Sequence, residues 1–177
     1  GSVEVPQEHF YRFASPHPAP AEQPFAAVLR VEHVQVAAHL AGDRLMVADG
    51  PCRLMPYQLH RWAGSLESLV GEALFLGLTR SRAFVQVKGQ CDPGRESLVL
   101  TGRVLHLEQQ AGEKGSVGRV VLDVQLQDSE RGVIVFHDEL AREVPVSGAA
   151  PVDVVAALSA GLAGIVDEVV ERTRVGA

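Results

Sequence analysis

The side chains here best suited to act as metal ligands, acids, bases or nucleophiles are seven histidines and two cysteines. His9, His17, His33, His39, His60, His106 and His137 are scattered, and no two stand three or four residues apart, the spacing that aims two imidazoles from one helix at one metal. His137-Asp138-Glu139 is the nearest thing to a cluster. On a strand His137 and Glu139 share a face, which is either two ligands of a metal site or a solvated face, and the solvated face is the better reading. Asp138 and Glu139 point to opposite faces, so they do not form a working acid–base pair. Cys52 and Cys91 lack CxxC spacing and neighbouring histidines. They read as buried or half-buried thiols, with a disulfide as the open alternative in an oxidising compartment. The glycines of Gly112-Glu113-Lys114-Gly115-Ser116-Val117-Gly118 have the wrong spacing for a phosphate loop and lie between two strands, where a hairpin loop is the better account. GxGxxG, GxxxxGK[ST], GxSxG and HExxH are all missing. The expectation is a non-enzyme with no metal and no cofactor.

One dense group remains. Tyr57, His60, Arg61 and the lone tryptophan, Trp62, stand just before the first clear helix. Tyr, Trp and Arg dominate binding hot spots, so these four are the candidate partner-binding residues. Trp62 has a second reading, as a large aromatic that closes one end of the core against that helix.

Around them the chain alternates between strand and helix patterns. His9 to Ala14 is a short leading strand, and Ser15 to Pro24 a proline-rich connector expected to be extended and unpaired. Phe25–Val36 and Arg44–Ala48 read as strands, Asp49-Gly50-Pro51 as a turn, and Cys52–Tyr57 as extended chain. Ser65–Arg80 has apolar residues at helical spacing, with Ser65 placed to cap it. Phe84–Lys88 and Ser97–Leu107 read as strands, Gln110–Gly115 as a polar loop, and Val117–Gln127 and Val133–Val144 as the next two strands. Short loops make the last three strands an antiparallel meander. Pro151 opens a final helix whose Leu158, Gly161, Leu162, Ile165 and Val169 share a face, with Asp167, Glu168, Glu171 and Arg172 turned outward. The fold class is α/β: a mixed sheet with an antiparallel meander and two main helices.

The chain's 177 residues suit a single domain spanning 1–177. Gly1-Ser2 reads as a tag remnant, with residues 1–8 as remnant plus N-terminal tether, so the natural start is expected upstream. A net charge of −6 with scattered Lys and Arg speaks against nucleic acid and against adsorption to an anionic membrane. No run is long and apolar enough to span a membrane as a helix.

Val34-Gln35-Val36-Ala37-Ala38-His39-Leu40, Arg44-Leu45-Met46-Val47 and Tyr57-Gln58-Leu59-His60-Arg61-Trp62-Ala63-Gly64-Ser65-Leu66 resemble the ABC-type transport auxiliary lipoprotein family, in particular its paraquat-inducible lipoprotein C-like members. Arg61-Trp62-Ala63-x-x-Leu66 is the most specific piece. Phe10-Tyr11-Arg12-Phe13 is similar to the family's opening strand and Leu158–Val170 to its last helix. Ala38-His39-Leu40 departs from the family's usual corner, and the lipid-bearing cysteine lies outside this sequence. The resemblance implies a three-layer α/β fold, anticodon-binding-like and related to the N-terminal part of TolB. It also implies a periplasmic lipoprotein, held by an N-terminal lipid anchor in the inner leaflet of a Gram-negative outer membrane. Its expected partners are a mammalian-cell-entry (MCE) substrate-binding protein and, through it, an ABC permease and ATPase that move lipids. A homo-oligomer is left open. The activity expected is docking onto the MCE component, the alternative being a lipid carrier with its own apolar cavity of roughly 300–1,000 Å³.

Overall fold

A computed structural model describes residues 1–176. In chain order it has β1 (His9–Tyr11), β2 (Phe25–Val31), β3 (Gln35–Val36), a 3₁₀ turn at Ala38–Leu40, β4 (Arg44–Ala48), β5 (Leu54–Trp62) and α1 (Leu66–Arg80). Next come β6 (Phe84–Lys88), β7 (Leu98–Gly112), β8 (Gly115–Asp128), β9 (Val133–Pro145) and α2 (Pro151–Gly176). All strands join one mixed sheet, and both helices pack on it and against each other.

The sheet is organised by β7. One of its edges pairs antiparallel with β8 from Leu98↔Asp128 to Gly112↔Gly115. The other edge takes three parallel strands in succession: β2 at Leu98–Leu100, β3 at Arg103–Val104 and β4 at Gln109–Gln110. β6 extends β2, while β5 and then β1 extend β4. β8 carries β9 to complete the meander. The expected α/β class, mixed sheet, meander and two helices are therefore what the chain forms.

Several boundaries differ from expectation, each for a tertiary reason. Phe25–Val36 is two strands, because the pairing with β7 slips by one residue between β2 and β3, and Val34 turns into the core at the break. β7 runs through the expected Gln110–Gly115 loop to a two-residue turn at Glu113-Lys114, since Gln109 and Gln110 are paired on both sides. β5 does not stop at Tyr57 but continues to Trp62, held between β4 and β1. The proline connector has no regular structure, yet it is docked. Pro16 is buried over Gly77 of α1, where a Cβ would lie 3.1 Å from Pro16 Cβ and 2.8 Å from Val166 Cγ2 of α2. Arg80 Nη1 donates to the Pro16 carbonyl (3.1 Å) and Ala21 N–H to that of Ser81 (2.7 Å).

The helices follow their periodicity. Ser65 caps α1 by accepting from Ser68 N–H, and Leu66, Val70, Ala73, Leu74 and Leu78 are buried. On α2, Leu158, Gly161, Leu162, Ile165 and Val169 are buried. Asp167 and Glu171 face out as expected, but Glu168 and Arg172 are half-buried, drawn into ion pairs with β9.

A buried cation holds the loop after β6. Arg30 of β2 is 8% exposed, and its guanidinium donates to the carbonyls of Gly89, Gln90, Asp92 and Gly94 and to the Glu96 carboxylate (2.9 Å). Beside that guanidinium the Glu96 carboxyl is held below the usual carboxylate range. Lys88 adds a hydrogen bond to the Pro93 carbonyl. Cys91 rides on this loop. Cys91 and Cys52 are both exposed and unbonded, which corrects the expectation of buried or half-buried thiols: each sits in a turn whose polar backbone keeps it at the surface.

Trp62 is 3% exposed, in one cluster with Leu66 and packed against Phe13 with ring centroids 4.7 Å apart and planes tilted by 36°. Trp62→Ala should cost about 3–5 kcal/mol, the usual range for a large core aromatic. A urea titration measures it, and a midpoint that barely moves would show that the ring contributes little to the core.

Candidate docking surface at the β5 bulge

The four predicted residues all fall on β5, and the structure separates them into two roles. Trp62 points into the core, so its ring offers nothing to a partner. Tyr57, His60 and Arg61 are half-buried beside the edge strand β1.

What gathers Tyr57 and His60 is a break in strand alternation. Residues three apart on a regular strand lie on opposite faces. Between them Leu59 takes φ +63, the left-handed conformation that a γ-branched side chain rarely adopts. The pairing of β4 with β5 is irregular across the same stretch. The result is a bulge that brings the Tyr57 and His60 rings together edge-to-face, with centroids 5.8 Å apart.

β1 completes the surface. His9 stands opposite His60 in the parallel ladder, and the two imidazoles stack at 5.1 Å with their planes 10° apart. The Tyr11 hydroxyl is hydrogen-bonded to His60 Nδ1 at 2.9 Å. The Tyr57 hydroxyl donates to Gln109 Oε1 on β7. Burial pushes the pKa of both tyrosine hydroxyls up, so both stay protonated. On the other face of β5, Arg61 donates to Glu8 (2.9 Å) and, through Nη1, to both carboxylate oxygens of Asp43 (2.9 and 3.1 Å). Those carboxylates raise the Arg61 pKa further. Arg61 is therefore a brace between the N-terminal segment and the start of β4, not a free cation. Leu59, 39% exposed, and Phe10, 62% exposed, are apolar groups left open beside it.

Residue types alone did not reveal His9, Tyr11, Leu59, Glu8 or Asp43. The signal that could have found them is the β1–β5 register, which sequence spacing does not encode. His137, read above as part of a solvated strand face, is exposed and bonded to Asp123 on the neighbouring strand (2.9 Å). Among the described residues no three His, Cys, Asp or Glu side chains converge on a point that could hold a metal ion. No helix of the described residues is long and apolar enough to cross a membrane.

Two grooves lie elsewhere. A polar one of about 490 Å³ crosses the outer face of the meander, lined by Glu32, His33, Arg103, Asp123, Gln125 and His137. A second one of about 390 Å³ opens between the starts of β2, β7 and β9 and the end of α2, where Phe25, Leu98 and Ile134 line it together with the charged Asp128, Glu130 and Arg131.

Residues 11–170 match the family model described as the ABC-type transport auxiliary lipoprotein component. No functionally curated protein matches the chain in sequence. Among solved structures it is similar to protein XCC0632 from Xanthomonas campestris, with 18% identity, a TM-score of 0.83 and 95% of each chain covered. It is also similar to the hypothetical protein CT253 from Chlamydia trachomatis, with 11% identity, a TM-score of 0.61 and coverage of 86% of this chain and 96% of that one. At these identities the likeness is one of fold.

The left-handed backbone at Leu59 makes a specific expectation. A non-glycine residue loses roughly 1–2 kcal/mol there, and glycine gives back about 0.5–1 kcal/mol through its freer unfolded chain. Leu59→Gly should therefore stabilise the domain by about 0.5–1 kcal/mol in a urea titration. A loss of more than about 1 kcal/mol would show that packing of the Leu59 side chain, not its backbone, governs the bulge.

Proposed function

The chain belongs to the ABC-type transport auxiliary lipoprotein family, and on that premise we propose that it is a non-catalytic docking module of a lipid transport system. In this reading an N-terminal lipid anchor holds it to the inner leaflet of the outer membrane, facing the periplasm. It binds an MCE-type substrate-binding protein and, through that protein, serves an ABC permease and ATPase.

The observation that carries the reading is the β5 bulge. It joins a strained backbone and paired tyrosines and histidines to the open side chain of Leu59 and to an edge strand, whose Phe10 is open on the opposite face beside Arg61. Strained bulges of this kind at sheet edges re-aim side chains for binding. Tyrosine offers large contact area with few rotatable bonds, and an edge strand adds main-chain donors and acceptors. The surface lies next to residues 1–8, which run on from β1 without regular structure. A tether leading from that side would bring this edge close to the anchor.

A second reading, lipid carriage, is favoured by one feature. Ile134 is 57% exposed on the wall of the groove beside Phe25 and Leu98. The groove's volume lies at the low end of what a small hydrophobic ligand needs.

Affinity capture from solubilised cell envelopes separates the two. Docking predicts that the domain retains an MCE-type protein, and that Leu59→Asp reduces retention about tenfold, the loss expected for one interface hot-spot contact. Retention of acyl chains, detected by mass spectrometry and lost on Ile134→Asp, with no transporter component recovered, would overturn docking in favour of carriage.

A further inference from the structure

β9 is the outer strand of the meander. It pairs with β8 and, among the described residues, with no strand on its other side. A strand of 13 residues with an open edge is a template for another strand. Which of its main-chain groups face outward follows from the register. The two-residue turn makes Gly112 and Gly115 a hydrogen-bonded pair, so odd-numbered residues of β8 turn to β7 and even-numbered ones to β9. Leu122 and Val124 of β8 stand opposite Leu140 and Asp138. Even-numbered residues of this part of β9 therefore bond inward, and Glu139 and Ala141 turn their N–H and C=O to the open edge.

Two of those open-edge groups are already occupied by the strand's own side chains. The N–H of Glu139 donates to Asp138 Oδ1 (2.9 Å), and the carbonyl of Ala141 accepts from Arg142 Nη1 (2.8 Å). Helix α2 fixes both side chains in place. Arg172 pairs with Asp138 (2.8 Å) and Glu168 (3.0 Å), and Glu168 pairs with Arg142 (2.6 Å). The stem of Arg142 lies against Gly161 and Gly164: a Cβ on Gly164 would lie 2.9 Å from Arg142 Nε. Its Nη2 reaches the Gly164 carbonyl at 3.3 Å.

The strand is also self-complementary. About a two-fold axis at Leu140, Asp138 would face Arg142 of a second copy, Phe136 would face Val144, and Glu139 would face Ala141. The Glu139 N–H and the Ala141 carbonyl, the two capped groups, are the ones that would bond each other across that axis.

We infer that the Asp138–Arg172–Glu168–Arg142 network is an edge lock that keeps β9 from pairing with a second copy of this chain. The inference goes beyond docking at β5 and concerns a different edge of the sheet.

Light scattering after size exclusion tests it on the whole domain. The variant Asp138→Ala/Arg142→Met removes both caps while keeping an apolar stem over the glycines. It should associate at concentrations where the wild-type chain gains nothing from β9. Adding Ala141→Pro, which deletes an outward N–H, should abolish that association. Circular dichroism checks that each variant is folded. Should the double variant fail to fold, the single variant Asp138→Ala should still speed hydrogen exchange at Glu139 N–H about tenfold. The lock is overturned if the double variant gains no association that Ala141→Pro removes, if the wild type already associates in a way that Ala141→Pro removes, or if Glu139 exchange is unchanged.

Discussion

The two-sided hydrogen bonding of β7 is the constraint on which the other elements depend. Its antiparallel edge is satisfied along its length by β8, a local pairing closed by a two-residue turn. Its other edge is satisfied piecewise by three parallel strands drawn from the first third of the chain. Parallel pairing needs long crossovers, and α1 supplies one of them between β5 and β6. Buried backbone groups must be paired, so the polar residues Gln109 and Gln110 remain in the strand despite a loop-like composition. That same far end of β7 carries β4, which carries β5 and β1. The candidate docking surface on β5 is thus positioned by β7 through one intervening strand, β4, and Tyr57 is tied back to β7 directly through Gln109.

Charge is used inside the fold chiefly to fix backbone. Arg30 gathers four carbonyls and one carboxylate, which fixes the loop carrying Cys91. Arg61 braces the N-terminal segment against the start of β4, and Arg142 with Arg172 closes the middle of β9. Each guanidinium serves several acceptors at fixed geometry, which a lysine does not do as well. The sheet's edges end up unlike each other: β9 is covered centrally by its own side chains, while β1 is three residues long and flanked by open apolar groups.

What the sequence made legible was local. Helical spacing located both helices, Ser65 was recognised as a cap, and β4 and β6 have the bounds their composition suggested. The clean alternation of Val120, Leu122, Val124 and Leu126 named a buried face. What stayed hidden depends on register between distant segments. The one-residue slip that splits β2 from β3 leaves no mark in composition, and neither does the pairing that sets His9 against His60. Arg30 looked like any charged residue in a strand, because its acceptors are backbone carbonyls of a loop far along the chain. Within the candidate site, the residue types named a real cluster but not its roles. Trp62 faces the core and Arg61 is fully engaged, so the outward part is Tyr57, Leu59 and His60 with help from β1.

The most direct measurement is hydrogen exchange on the domain alone and with a purified MCE-type protein. The account predicts slower exchange at Phe10–Tyr11 and Tyr57–Arg61 in the complex, with the central residues of β9 unchanged. Protection confined to the groove around Phe25, Val133 and Ile134, with the β5 bulge unaffected, would contradict it.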